Sequence, residues 1–351
     1  NPFGESEYYT YLKEKGLLDA YLNKERVPST EAKHRYHAGP SVLKACDTNE
    51  VWTADQTLAF IDESDAPFFA WCTFERPHSP HTPPPDAPVK YDPGSLTVPP
   101  YDPKYFESKT DHSRAGCENL WKAWVQGEDE LRRALAHYYG LMSLIDQQVG
   151  RIVDHLEAAG KLENTIIVFT ADHGDFGGTM GMMGKNTSTY DALIRTPYIW
   201  YWKDRFDRNM HFDLCESIDF YPTVCDLTGI ATPPSAQGES HVNAFTDVPY
   251  FRGKDYVFSE RMLTKTIRSK THKLAITSNG QRHIGEMYDV VEDPEQKHNL
   301  YGNPAYTHIQ TKLAEELIAW YMRTEQPCYA SDSSQDVSTS LRWHSHFAKE
   351  R

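Results

Sequence analysis

Between residues 131 and 170 a helical apolar pattern runs straight into a short, wholly apolar β-type run, and few architectures accept that succession. Leu135, Tyr138, Met142, Ile145, Val149, Ile152 and Leu156 recur every three or four residues, which winds them onto one stripe of a helix. The pattern stops at Ala159-Gly160, where a glycine can take the left-handed conformation that closes helices. Then comes Thr165-Ile-Ile-Val-Phe-Thr170, β-branched and apolar without polar alternation. Such a run predicts a central parallel strand covered on both faces. Helix, tight turn and covered strand in sequence predict an α/β layered domain.

The same reading extends outward. Pro67–Phe74 is an aromatic run that predicts a second buried strand, feeding a proline-rich loop from Arg76 to Pro103. Pro197–Trp202 reads as a further strand, and Ile218–Leu227 as a helix beginning near Ser217. Ala231–Gly238 has the proline and glycine content of a linker. Beyond it stand short strand-like pieces, Tyr256–Ser259, Lys273–Ile276 and Glu286–Val290, and then a helix from His308 to Arg323. The expected organisation is an α/β domain over 1–240, a smaller α+β subdomain over 241–330, and a Ser/Asp-rich tail over 331–351.

Charge narrows the partners. Lys and Arg number 36 against 50 Asp and Glu, a formal charge of −14, which repels a nucleic-acid backbone. No apolar run approaches the ~20 residues of a membrane span. None of the six cysteines (Cys46, Cys72, Cys117, Cys215, Cys225, Cys328) stands in C-x-x-C spacing, so a structural zinc cluster is not expected. The even count permits disulfides without requiring them.

Candidate chemistry collects at the end of the apolar strand. Ligands of open α/β sheets gather at strand carboxyl ends, and there Asp172 and His173 emerge, followed by Gly174 for a sharp turn. A carboxylate beside an imidazole suits a divalent cation, although a capped turn explains the same residues. Lys185, in the glycine-rich run Gly181–Tyr190, could meet an anion or simply be solvated. His78 and His81, in Arg76-Pro-His-Ser-Pro-His81, could protonate a leaving oxygen or merely pack the loop.

Taken in order, these pieces resemble the sulfatases of the alkaline-phosphatase superfamily. Pro77-His78-Ser-Pro80, Phe169-Thr-Ala-Asp-His-Gly-Asp175, Gly184-Lys185 and Ile194-Arg-Thr-Pro197 follow one another as in that family. Ile218-Asp-Phe-Tyr-Pro-Thr223, Glu286–Glu295 and Asn299-Leu300 look like its later motifs. The resemblance spans residues 55 to 325. It implies an alkaline-phosphatase-like α/β/α sandwich in which Asp172 and His173 ligate a divalent cation, calcium first. It further implies that Lys185 holds a sulfate oxygen, that His78 touches the sulfate or assists the leaving alkoxide, and that His81 takes a lesser place in the pocket. Asp175 is expected to organise the loop by accepting backbone hydrogen bonds.

The family's nucleophile is a formylglycine made from the cysteine of Cys-x-Pro-Ser-Arg, and no cysteine here has that context. Cys72-Thr-Phe-Glu-Arg76 lacks Pro-Ser, and Cys72 is expected to be a core thiol. The nucleophile is therefore expected outside this chain, in a missing N-terminal segment or a complementary N-terminal chain, and the chain alone is expected to be inactive. The reaction implied is hydrolysis of a small sulfated compound, a sulfated sugar or an aryl sulfate. The resemblance also implies an extracytoplasmic location and leaves room for a homo-oligomer. A phosphonate monoester or phosphodiester hydrolase, and a non-catalytic binding subunit, are the alternatives. Tyr91, Tyr101, Tyr105, Phe106 and Trp121 could stack on a sugar ring or only shield the core.

Overall fold

The computed structural model describes residues 6–25, 38–65, 67–99, 101–124, 127–246, 251–278 and 283–324. The tail at 331–351 and Cys328 lie outside the described residues. Two compact units are present, Asn1–Arg205 and Phe206–Arg351. No helix among the described residues is long and apolar enough to cross a membrane.

The first unit contains α1 (Glu7–Glu14), capped by the Ser6 side chain, and α2 (Leu18–Lys24). Their buried Tyr8, Leu12 and Tyr21 meet Leu43 and the half-buried Trp52. Next come α3 (Asn49–Glu63), α4 (Asp111–Trp124) and the long α5 (Glu128–Ala158). Helix α5 turns inward Leu131, Leu135, Leu141, Leu144, Ile145 and Leu156, whereas Met142 from the expected stripe is exposed. Gly160, at φ +66°, closes it. Ile61 of α3 joins Leu156 and Leu162 in a core that receives Phe68 and Ile167. The Asp55–Arg151 ion pair (2.6 Å) and the Asp62–His155 hydrogen bond (2.7 Å) tie α3 to α5 at the surface.

The strand at the centre of the sequence argument forms, but not as expected. β1 (Ile166–Thr170), followed after the short α6 (Asp191–Ile194) by β2 (Tyr198–Trp202), pairs with β2 antiparallel, Ile166 opposite Trp202 and Thr170 opposite Tyr198. The expectation of a parallel central strand is corrected, because β2 is the only strand it pairs with among the described residues. On the face carrying Ile167, Phe169, Ile199 and Tyr201 remain 38, 58 and 41 % exposed. Residues 67–74 also depart from expectation: they carry no strand assignment. Phe69 and Trp71 are exposed and Phe68, Cys72 and Phe74 half-buried, an alternation that would suit a strand. Without a ladder partner among the described residues the run cannot be one.

The second unit contains α7 (Phe220–Thr228) and α8 (Val242–Thr246). It then forms an antiparallel sheet of β3 (Val257–Arg261), β4 (Thr264–Arg268), β5 (His272–Ser278) and β6 (His283–Asp289) in sequential order. Helix α9 (Thr307–Thr324) packs Leu313 and Leu317 against Ile267, Leu274 and Met287, with Phe258 stacked on Trp320 at 4.6 Å. Residues ahead of the Ala231–Gly238 stretch are tied to those after it, through Phe206 stacked on Phe245 at 4.2 Å and Asp219 bonded to Lys254 at 2.7 Å. The five described cysteines are thiols. Cys72 is half-buried rather than a core residue.

Candidate active site

The end of β1 delivers Thr170 and, two residues on, Asp172. Gly174 then lets the backbone pass against α6: a Cβ there would lie 2.1 Å from the Ala192 carbonyl oxygen, and the Gly174 N–H donates to the Leu193 carbonyl at 2.8 Å. A side chain at 174 would push the whole turn away from α6. Gly174→Ala is expected to cost about 1–3 kcal/mol, the usual penalty of overpacking, read by urea unfolding; an unchanged midpoint would contradict the packing described.

Asp175 is the hub of the turn. Its Oδ1 accepts the N–H groups of Gly177 and Gly184, both at 2.8 Å, as the sequence reading expected. Burial pushes its carboxyl above the usual range, opposed by those two N–H donors and by the nearby His173 and His78. The intervening loop fills its own interior with Phe176, Met180, Met182 and Met183, all essentially inaccessible. Both ends of the loop are thereby held together, and Lys185, the residue after Gly184, returns beside His173.

Here three expected residues meet. Lys185 Nζ lies on His173 Nε2 as a short contact. Nε2 is also 3.4 Å from Asp172 Oδ2, and Asp172 Oδ1 accepts the His173 N–H at 2.9 Å. His173 Nδ1 stands 2.7 Å from the Gly174 carbonyl oxygen. A carbonyl only accepts, so Nδ1 carries the proton and the Nε2 lone pair faces Lys185 Nζ; a cation held by His173 would take the place Lys185 has on Nε2. Asp172 is well exposed and His173 partly so.

A divalent cation fits this pair in part. Two donors on a cation about 2.0–2.6 Å away, at angles from right-angled to tetrahedral, stand about 2.8–4.2 Å apart, a span that includes the Asp172–His173 separation of 3.4 Å. Among the described residues no group of three or more His, Cys, Asp or Glu side chains is placed to hold a metal ion, so Asp172 and His173 offer two donors there and no more. The imidazole donor also favours a borderline ion such as manganese or zinc over calcium, which takes oxygen ligands.

His78 is exposed at the apex of its loop, its Nδ1 2.8 Å from the Ser79 carbonyl oxygen. It acts electrostatically on Asp175 and His81 but makes no hydrogen bond to Asp172, His173 or Lys185 among those described. His81, expected in the pocket, is wholly buried, edge-on to Tyr138 at 5.2 Å. There it supports the loop rather than facing a ligand. The aromatic rim is mostly packing as well: Tyr101 stacks on Trp121 at 4.4 Å and on the buried Phe106 at 5.4 Å.

Two groups near the site escaped the sequence reading. Thr187 and Asn186 fasten the Lys185 loop to α4, through His112 Nε2 at 3.2 Å and Cys117 Sγ at 3.4 Å. Arg76, 8 % exposed, lies under the His78 loop with two buried carboxylates, Glu25 and Glu50. An arginine immediately ahead of Pro-His was visible; glutamates from distant helices carried no signal.

Comparison with known proteins points to the same family as the resemblance. The family profile described as Sulfatase matches residues 3–230, and that described as N-sulphoglucosamine sulphohydrolase, C-terminal, matches 178–323. An arylsulfatase of Clostridium perfringens is 29 % identical over 277 residues, covering 76 % of this chain and 56 % of the relative. A Delta 4,5-hexuronate-2-O-sulfatase of Bacteroides thetaiotaomicron is 26 % identical over 316 residues, covering 80 % and 62 %. The chain thus spans little more than half the length of these relatives. Among solved structures, a phosphonate monoester hydrolase from Silicibacter pomeroyi superposes with a TM-score of 0.78 at 24 % identity, over 92 % of this chain and 70 % of that one.

Proposed function

Because this chain belongs to the sulfatase family and has its alkaline-phosphatase-like α/β fold, we propose that Asp172, His173, Lys185 and His78 are part of a metal-dependent site that hydrolyses sulfate esters. The observation that carries this reading is the convergence of Asp172, His173 and Lys185 at the carboxyl end of β1. Lys185 offsets charge on a sulfate oxygen as a point charge. With its Nδ1–H on the Ser79 carbonyl, His78 meets the sulfate or gives a proton to the leaving oxygen through Nε2 as the imidazolium, protonated on both ring nitrogens. Asp172 and His173 hold the cation, which when bound supplies Lewis-acid stabilisation of the sulfate oxygens. Small sulfated compounds, sugars or aryl sulfates, are the substrate class.

In this reading the nucleophile is a formylglycine contributed from outside residues 1–351. Cys72 does not substitute for it: burial pushes its thiol upward, against a weaker lowering contact from Thr57, and a reactive cysteine needs the opposite shift. The apolar side chains left open at Phe69, Trp71, Ile199 and Tyr201 support further polypeptide covering this unit, since soluble surfaces rarely carry such area uncovered. The polypeptide of residues 1–351 alone is accordingly expected to turn over no aryl sulfate.

The metal reading is tested by equilibrium dialysis of the chelator-treated polypeptide. Manganese or zinc is expected to bind at least ~10-fold more tightly than calcium, following the ligand preference of imidazole, and Asp172→Ala to weaken that binding by a similar factor. Equal affinity of the variant and the parent chain would remove Asp172 from the site.

A further inference from the structure

The buried charges beneath the His78 loop have no part in the chemistry above, yet they are connected to it. Arg76 Nη1 donates to the carbonyl oxygen of Pro80, in a short contact, and to Thr82 Oγ1 at 2.8 Å. The first residue of the loop is thus bonded to its fifth and seventh, and the guanidinium closes residues 76–82 into a ring with His78 at its apex. Behind Arg76, Glu25 Oε2 accepts from Nη2 at 3.3 Å and from the Thr82 hydroxyl at 2.8 Å. Glu25 Oε1 accepts the Ser41 hydroxyl at 2.5 Å and the Val42 N–H at 2.7 Å. Glu50 lies 3.9 Å from Arg76 Nε. The strand-like segment 38–41 then clips the far side, with Gly39 N–H on the His81 carbonyl at 3.1 Å and Ser41 N–H on that of Pro83 at 2.9 Å.

A buried ionic cluster of this kind is a weak source of stability, because desolvation cancels much of the attraction. What it does supply is geometry: the planar guanidinium fork fixes several acceptors at once, which a lysine cannot. The acceptors fixed here are the backbone of the loop. Ser79, whose carbonyl oxygen lies 2.8 Å from His78 Nδ1, sits between Arg76 and the Pro80 that it holds. We propose that Arg76 is a positioning residue for His78. By holding the Pro80 carbonyl and Thr82, it sets the Ser79 carbonyl to accept a hydrogen bond from His78 Nδ1–H, which leaves Nε2 as the ring atom that meets a ligand. Glu25 orients the fork from behind. The inference rests on the role given to His78 above, but the geometry it concerns is measurable without turnover.

The experiment is nitrogen-15 NMR of the histidine rings in the full 351-residue chain, for the parent, Arg76→Lys, Arg76→Gln and Thr82→Val. In the parent His78 is expected as the Nδ1–H tautomer. Arg76→Gln shifts it predominantly to the Nε2–H form that a free imidazole side chain prefers. Arg76→Lys, which keeps the charge but not the fork, leaves a mixture, and Thr82→Val, which removes one arm and no charge, gives a smaller shift than Arg76→Gln. The ring signals of His173, on a different loop, report whether each variant is folded. A folded Arg76→Gln or Arg76→Lys chain in which His78 keeps the parent tautomer overturns the proposal, as does a parent chain with no Nδ1–H preference at His78. Absence of sulfate-ester hydrolysis from every form of the protein would count against the function of the site and leave the tautomer result standing.

Discussion

Replacing Asp219 by alanine is expected to destabilise the second unit by about 3–5 kcal/mol, the cost of breaking a buried ion pair by removing one partner. Asp219 is inaccessible to solvent and spends all of its acceptor capacity. Oδ1 takes Lys254 Nζ at 2.7 Å and the Glu239 N–H at 2.8 Å; Oδ2 takes the Glu216 N–H at 2.8 Å and stands 3.2 Å from His241 Nε2. Lys254 is shared with Glu216 Oε2 at 2.6 Å, whose other oxygen accepts the Phe258 N–H at the start of β3. One carboxylate therefore ties the entry to α7, the loop at 239–241 and the approach to the sheet. Burial alone would raise its pKa, but the bonds from His241, Lys254 and the two N–H groups hold it down at about 2. Its stabilisation is therefore present above the ordinary carboxylate range and is lost as pH falls through about 2. Urea unfolding at neutral pH reads the loss; a change under about 1 kcal/mol, the scale of an exposed pair, would mean that the network contributes little.

Acid should unfold the first unit through His81. Burial, and then the neighbouring Arg76, His78 and His137, push its pKa down to about 3. The folded state thus refuses a proton that the unfolded chain accepts below about 6.5. Between those values the unfolded state binds more protons, so stability falls as pH falls, by ~1.4 kcal/mol per pH unit and roughly 4–5 kcal/mol across the whole window. Glu50 and Asp175, both pushed upward by burial, work in the opposite sense over part of the range. The decisive quantity is hence the difference between the parent and His81→Leu. Between pH 6.5 and 4.5 the parent is expected to lose stability relative to the variant at close to that slope; parallel curves would contradict the burial of a neutral imidazole.

Much of this was legible in the sequence because it depends on local pattern. The helix ending at Ala158, the strands around residues 168 and 200, and helix α9 all follow from periodicity and from a glycine that closes a turn. The Asp172–Lys185 loop was equally readable, since its glycines and its hub Asp175 lie within fourteen residues of one another. What could not be read is pairing. A run such as Ile166–Phe169 looks covered on both faces whether its neighbour is parallel or antiparallel, and nothing in residues 67–74 says whether a ladder partner exists. β4 was missed because Thr264-Lys-Thr-Ile-Arg268 has little apolar content; its place is set by β3 and β5 on either side. The helices α1 to α3 and the buried carboxylates of Glu25 and Glu50 were invisible for a similar reason: their partner Arg76 is 51 and 26 residues further on. His81 carries the composition of a ligand-facing residue, and only the edge of Tyr138 reveals it as interior.

We propose that Asp172, His173, Lys185 and His78 belong to a sulfate-ester hydrolase site whose nucleophile lies outside residues 1–351. The most direct measurement is the ratio of kcat/KM for an aryl sulfate to that for an aryl phosphonate monoester. It should be made on the polypeptide joined to, or mixed with, a segment that bears the formylglycine, and repeated with Lys185→Ala. The predicted result is a ratio above one, with Lys185→Ala lowering sulfate turnover by ~10²–10³, as loss of one charge-stabilising donor does. A preference for the phosphonate, or sulfate hydrolysis untouched by Lys185→Ala, would contradict it.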